Sequence, residues 1–238
     1  MKKGYIQAVM RTIFQTNNLA EAYTNRGAAY NEKGEYDRAI ADYNQALRLN
    51  PNYAEAYNNR GNAYNGKGEY DRAIADYNAS VRLNPDLADA YYNRGNAYNN
   101  KEEYDRAIAD YNEALRLNPN YAEAYNNRGF VYYSKKEYDR SIADYNAALR
   151  LNPNDADAYT NRGLTYVMKG EYDRAIADFN TVLRLDPNDA GAYNNRGIAY
   201  YYKKDYVRAR ADWEKALQLD PTDADARNNL EVLRGMGY

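Results

Sequence analysis

The tripeptide Asn-Arg-Gly stands at residues 25–27, 59–61, 93–95, 127–129, 161–163 and 195–197, each copy 34 residues after the last. Two of its three side chains could do chemistry. A carboxamide offers both a donor and an acceptor, which is what the N–H and C=O groups of an extended peptide backbone require. A guanidinium could hold an anion or pair with a carboxylate. Other chemistry is scarce. The chain has no His and no Cys, which removes the commonest general base, the commonest metal ligand and the thiolate nucleophile together. Its carboxylates fall mostly at capping and pairing places, so the expectation is a non-catalytic protein with no cofactor and no metal site.

The interval defines the element that must position these groups. Written from Ala20, the unit reads AEAYTNRGAAYNEKGEYDRAIADYNQALRLNPNY, and full copies begin at Ala20, Ala54, Ala88, Ala122, Ala156 and Ala190. Places in the unit are counted here in words, from one to thirty-four. Tyr recurs at places four, eleven and seventeen, Gly at eight, Ala (or Ser141) at twenty, an aromatic residue at twenty-four and Pro at thirty-two. Places four, eight and eleven share one face of a first helix, A. Places seventeen, twenty, twenty-one, twenty-four, twenty-seven and twenty-eight share one face of a second, B. Gly and Ala lack bulk and let the pair approach closely, while Tyr fills the space around the contact. Pro ends helix B. Asn52 followed by Glu55 predicts a capping box for the next helix A, broken in the copy that carries Gly191. Arg48, Arg82, Arg116, Arg150 and Arg184 suit the C-terminal end of the helix B dipole.

The period and this small-and-aromatic framework resemble the tetratricopeptide repeat (TPR) family over residues 20–223, with repeats at 20–53, 54–87, 88–121, 122–155, 156–189 and 190–223. The resemblance implies an all-α fold, a right-handed superhelical solenoid of stacked antiparallel helix pairs with helix A lining a concave wall. It also implies that the protein binds other proteins or peptides in that groove. The pentatricopeptide family, which binds RNA, has a longer repeat and is typically basic; here the net charge is −2, which disfavours nucleic acid.

Place seven departs from the family, which usually has Leu there. Arg26, Arg60, Arg94, Arg128, Arg162 and Arg196 occupy it, and every copy also has Asp at place twenty-three, from Asp42 to Asp212. A half-buried Arg needs a partner. The reading is therefore a repeating Arg–Asp pair with the guanidinium lying on framework Tyr rings, rather than an anion ladder. The place-six amides, Asn25, Asn59, Asn93, Asn127, Asn161 and Asn195, fall on the concave side with places two, five, nine, twelve and thirteen. In some family members Asn at this place holds a peptide backbone; the alternative is a bond to a neighbouring helix. The family's carboxylate clamp for chaperone C-termini is not matched, because place five has no Lys and place two is acidic in most copies.

The remaining concave places change along the chain. Place nine reads Ala28, Asn62, Asn96, then Phe130, Leu164, Ile198. Place twelve turns from Asn31, Asn65 and Asn99 to Tyr133, Val167 and Tyr201; place thirteen ends in Met168 and Tyr202. With Tyr92 of place five, these form the candidate peptide-binding face, polar in the first three repeats and apolar in the last three. The functional expectation is a peptide-binding scaffold. The alternative is self-assembly, a homo-oligomer formed through the apolar half or the N-terminal helix.

The ends read as caps. In residues 1–19, Ile6, Val9, Met10, Ile13 and Phe14 make one amphipathic helix suited to covering the first repeat. Residues 224–238 read as a lone helix A in which Arg227 and Leu230 replace the framework Tyr and the repeated Arg. No apolar run has membrane-spanning length and no signal peptide is read, so the expected location is cytoplasmic.

Overall fold

The structure, a computed structural model, describes residues 18–237; the amphipathic segment expected at 5–15 lies outside the described residues. Thirteen helices and no strand occur among them, and they divide into two compact units, Met1–Pro119 and Asn120–Tyr238. The first contains α1 (18–32), α2 (Tyr36–Leu49), α3 (Ala54–Gly66), α4 (Tyr70–Leu83), α5 (Ala88–Asn100) and α6 (Tyr104–Leu117). The second contains α7 (Ala122–Ser134), α8 (Tyr138–Leu151), α9 (Ala156–Met168), α10 (Tyr172–Leu185), α11 (Ala190–Tyr202), α12 (Tyr206–Leu219) and α13 (Ala224–Gly235). Odd-numbered helices are the A helices and even-numbered ones the B helices. Each A from α1 to α11 packs on its own B, and each B packs on the next A of its unit.

The place-eight glycine meets the aromatic ring of place twenty-four, not the alanine of place twenty. A β-carbon on Gly61 would lie 2.6 Å from the Tyr77 ring, and one on Gly163 would lie 2.7 Å from Phe179. Those rings, with Tyr43, Tyr111, Tyr145 and Trp213, are the largest fully buried side chains. Burying each removes on the order of 150–250 Å² of mostly apolar surface from water.

The capping box does not form. Helix A begins one residue later than that pattern requires, so its N-cap is place thirty-four. Tyr53, Leu87 and Tyr121 stand there without a side-chain cap. In the later copies Asp155, Asp189 and Asp223 accept from the backbone N–H of Ala158, Ala192 and Ala226. The residue after Pro is instead a backbone donor. Asn52 N–H donates to Asn50 Oδ1 at 3.1 Å, and the turn repeats at Asn84, Asn152, Asp186 and Asp220. This Asx turn sets the direction in which the next helix starts.

A ladder of ion pairs ties successive repeats of a unit together. Lys67, Lys101 and Lys169 at place fourteen donate to Asp37, Asp71 and Asp139 at place eighteen of the preceding repeat. Val207 occupies place eighteen of the sixth repeat. Between helices A and B the chain turns through positive φ at place fifteen. Gly34, Gly68 and Gly170 take it without a Cβ penalty, whereas Glu102, Lys136 and Lys204 hold φ of 59°, 62° and 64°. Left-handed backbone costs a side-chain-bearing residue about 1–2 kcal/mol, partly offset by the greater freedom of Gly when unfolded. Lys204→Gly is therefore expected to stabilise by about 0.5 kcal/mol and Gly170→Ala to destabilise by about 1 kcal/mol. Thermal unfolding of the two variants should shift in opposite directions; parallel shifts would mean that neither turn carries this strain.

Candidate functional site

Place seven is an ion-pair site. Arg60 donates from Nε and a terminal nitrogen to the two carboxylate oxygens of Asp76, both at 2.7 Å. The same two-point grip joins Arg26 to Asp42, Arg94 to Asp110, Arg128 to Asp144, Arg162 to Asp178 and Arg196 to Asp212. Each guanidinium also lies 5.3–5.5 Å from the ring centre of its place-four Tyr. Burial works against the Arg162 charge, but the Asp178 hydrogen bond and charge outweigh it and hold the group above its ordinary pKa. With its charge met inside the protein, this Arg is no anion receptor.

The structure adds a third partner that the sequence reading missed. Arg60, Arg94, Arg162 and Arg196 each donate to the place-twenty-five Asn of the preceding repeat, namely Asn44, Asn78, Asn146 and Asn180. The signal was present. Place twenty-five is Asn in five copies and becomes Glu214 in the sixth, where the following helix carries Leu230 instead of Arg.

The place-six amides sit beside this network and are less buried than it. In the first unit Asn93 donates to Asn58 Oδ1 at 3.1 Å, and Asn58 donates to Asn59. In the second unit Asn229 donates to Asn194 at 3.1 Å. Place six thus reaches back to place five of the preceding repeat at Asn93–Asn58 and at Asn229–Asn194. Asn59, Asn93, Asn127, Asn161 and Asn195 all remain half-exposed and Asn25 is exposed. At the other place-five positions, Asn126 Oδ1 is buried without a partner and the fifth repeat has Thr160. Asn229 extends the row into α13, followed on the same face by Val232 and Met236. The sequence reading took α13 as a lone helix A serving as a cap, placed Arg227 and Leu230 in its pattern, and did not name Asn229 at place six.

The drift at place nine has an internal counterpart. In the second and third repeats the buried Tyr77 and Tyr111 donate to Asn62 and Asn96 at 2.7 Å. Burial raises the pKa of both hydroxyls and keeps them protonated as donors. In the fourth repeat Phe130 stands in place of that acceptor, and the Ser141 hydroxyl on the same B helix lies 3.4 Å from that of Thr165. In the fifth, Phe179 has no hydroxyl and Leu164 packs beside it. In the sixth, Trp213 donates to the Asn194 carbonyl at 3.1 Å, and place nine is Ile198.

The apolar residues differ in depth. Leu164 and Val167 pack against a core cluster containing Ile142, Tyr166, Ile176 and Phe179, and Ile198 and Tyr201 pack against one built on Trp213. Leu164, expected to be exposed, is half-buried because neighbouring helices close over its base. Phe130 at 45 %, Met168 at 54 % and Tyr202 at 55 % are exposed. Tyr92 and Tyr133 are half-buried, 6.1 Å from the Tyr111 ring and 6.0 Å from the Tyr138 ring respectively. At the end of the second unit, Ile198, Tyr201, Tyr202, Trp213, Asn229 and Val232 surround a cleft of about 180 Å³. The Tyr201 hydroxyl points to the Met236 sulfur at 3.7 Å. No cluster of three His, Cys, Asp or Glu among the described residues could hold a metal, and no described helix is long and apolar enough to cross a membrane.

A TPR repeat model matches residues 27–68, 61–102, 95–136, 131–170 and 166–204, and a tetratricopeptide repeat model matches 190–223. Among solved structures, the chain is similar to YrrB, described as a TPR protein with an unusual peptide-binding site: 29 % identity, TM-score 0.68, covering 78 % of this chain and 96 % of that one. It is similar to MamA at 32 % identity and TM-score 0.63, covering 73 % and 94 %. The pilF protein of Pseudomonas aeruginosa shares the fold, with 18 % identity, TM-score 0.79 and coverage of 90 % and 97 %. No curated protein matches the chain.

Proposed function

Because the chain belongs to the tetratricopeptide repeat family, a family of protein–protein interaction scaffolds, we propose that it binds an extended peptide segment across its A helices. In this reading the place-six amides hold the peptide backbone and the exposed apolar side chains of the last three repeats select its side chains. The observation that supports it is the pairing of a half-exposed amide row with exposed Phe130, Met168 and Tyr202 on the same helix faces. A monomer with no partner gains nothing from leaving such side chains in water. The similarity to a TPR protein described by its peptide-binding site points the same way.

The test uses short peptides selected from a random library on the wild-type chain, with binding measured by calorimetry. One amide–backbone hydrogen bond contributes about 0.5–1.5 kcal/mol. Asn161→Ala combined with Asn195→Ala should therefore weaken every peptide by a similar amount, about 1–3 kcal/mol, and leave their ranking intact. Phe130→Ala and Met168→Asp should reorder the ranking and leave thermal stability within about 0.5 kcal/mol of wild type. Leu164→Asp is unsuited to this comparison, since it places a carboxylate against the core. If the double Asn variant bound every peptide normally but melted lower, the amides would be inter-repeat bonds and nothing more.

A further inference from the structure

The exposed face of the second unit also carries Glu123, Asp157 and Asp225, each one helical turn before Asn127, Asn161 and Asn229 on α7, α9 and α13. All three carboxylates are exposed. Five cations of the same unit are engaged elsewhere. Arg128, Arg162 and Arg196 are held by buried aspartates, and Lys169 and Lys203 pair with Asp139 and Asp173.

Along each of these helices the order is thus carboxylate, amide, apolar side chain. At 1.5 Å rise per residue, the carboxylate lies about 6 Å to one side of the amide and the place-nine side chain about 4.5 Å to the other. On α9 the three are Asp157, Asn161 and Leu164; on α13 they are Asp225, Asn229 and Val232. α11 lacks the carboxylate, having Gly191 at that place, but it lies between α9 and α13, which both have it. An extended peptide seated on the amides sends successive side chains to opposite edges. One edge meets the carboxylates, and the other meets the apolar surface and the cleft beside Val232.

We propose that the second unit selects extended segments in which Lys or Arg alternates with bulky apolar residues, and disfavours acidic ones. This rests on the peptide-groove reading and adds to it the charge and period of the partner. The carboxylates supply the discrimination, because a like charge on that edge is repelled while a cation is both attracted and steered.

Three synthetic peptides of one length separate the two ideas, with Leu at alternate positions and Lys, Gln or Glu between. On the intact chain at low salt, the Lys peptide should bind about tenfold more tightly than the Gln peptide, and the Glu peptide most weakly, since each exposed pair contributes modestly. The spread should collapse in high salt and in the Glu123→Gln, Asp157→Asn, Asp225→Asn variant, whose thermal stability should match wild type. Equal binding of all three peptides would overturn this inference and leave the groove reading standing. Binding of none would overturn both. A chain whose mass rises with concentration while it loses peptide binding would show a second copy in the groove and would also overturn the inference.

Discussion

Replacing Asp178 with Ala is expected to lower the stability of the second unit by about 3 kcal/mol. The buried carboxylate meets Arg162 through two hydrogen bonds of 2.8 and 2.6 Å, and the Arg side chain is only 17 % exposed. Removing one member of a buried pair leaves a charge that water reaches poorly, which costs about 3–5 kcal/mol. The exposed fraction places the loss at the lower end. Asn146 cannot compensate, because its amide oxygen carries no net charge. Asp42→Ala should cost far less, since Arg26 is 59 % exposed and water replaces its partner. Chemical denaturation of the two variants measures the contrast. Equal losses would mean that the aspartate matters for a reason other than the guanidinium it holds.

Gly197→Ala is expected to cost about 2–4 kcal/mol although alanine is the better helix former. The added carbon would lie 2.5 Å from Trp213 Nε1 and 2.8 Å from Cδ1. The indole is nearly fully buried in a cluster with Ala209, Ala216, Leu230 and Leu233, so the ring cannot swing aside. Overpacking of this kind costs about 1–3 kcal/mol. Displacing the indole also breaks its hydrogen bond to the Asn194 carbonyl, worth about 1 kcal/mol. Gly235→Ala is the control, because nothing lies within 4 Å of the position a β-carbon would take. Its stability should be unchanged or slightly higher, and near-UV circular dichroism of the tryptophan should report displacement only in the Gly197 variant.

The repeat period alone determined the helices, and with them the family and the fold class, because six copies of one pattern average out the noise that makes a single helix ambiguous. It also determined the Arg–Asp pair. A cation that replaces an apolar residue at a packing position must be neutralised nearby, and the only residue accompanying it in every copy at a suitable place was the Asp of place twenty-three. The tertiary structure decided what depends on how one repeat sits on the next. The start of helix A was misread by one residue because Asx turns and capping boxes use the same residue types, and only the backbone direction after Pro separates them. The third partner of each Arg, Asn44 for Arg60 and its equivalents, belongs to the preceding repeat. A pattern read within one repeat does not pair residues across the joint. The depth of Leu164 against the exposure of Met168, four residues further along the same helix, was likewise invisible. Both are apolar and share one helix face, and neighbouring helices close over only one of them.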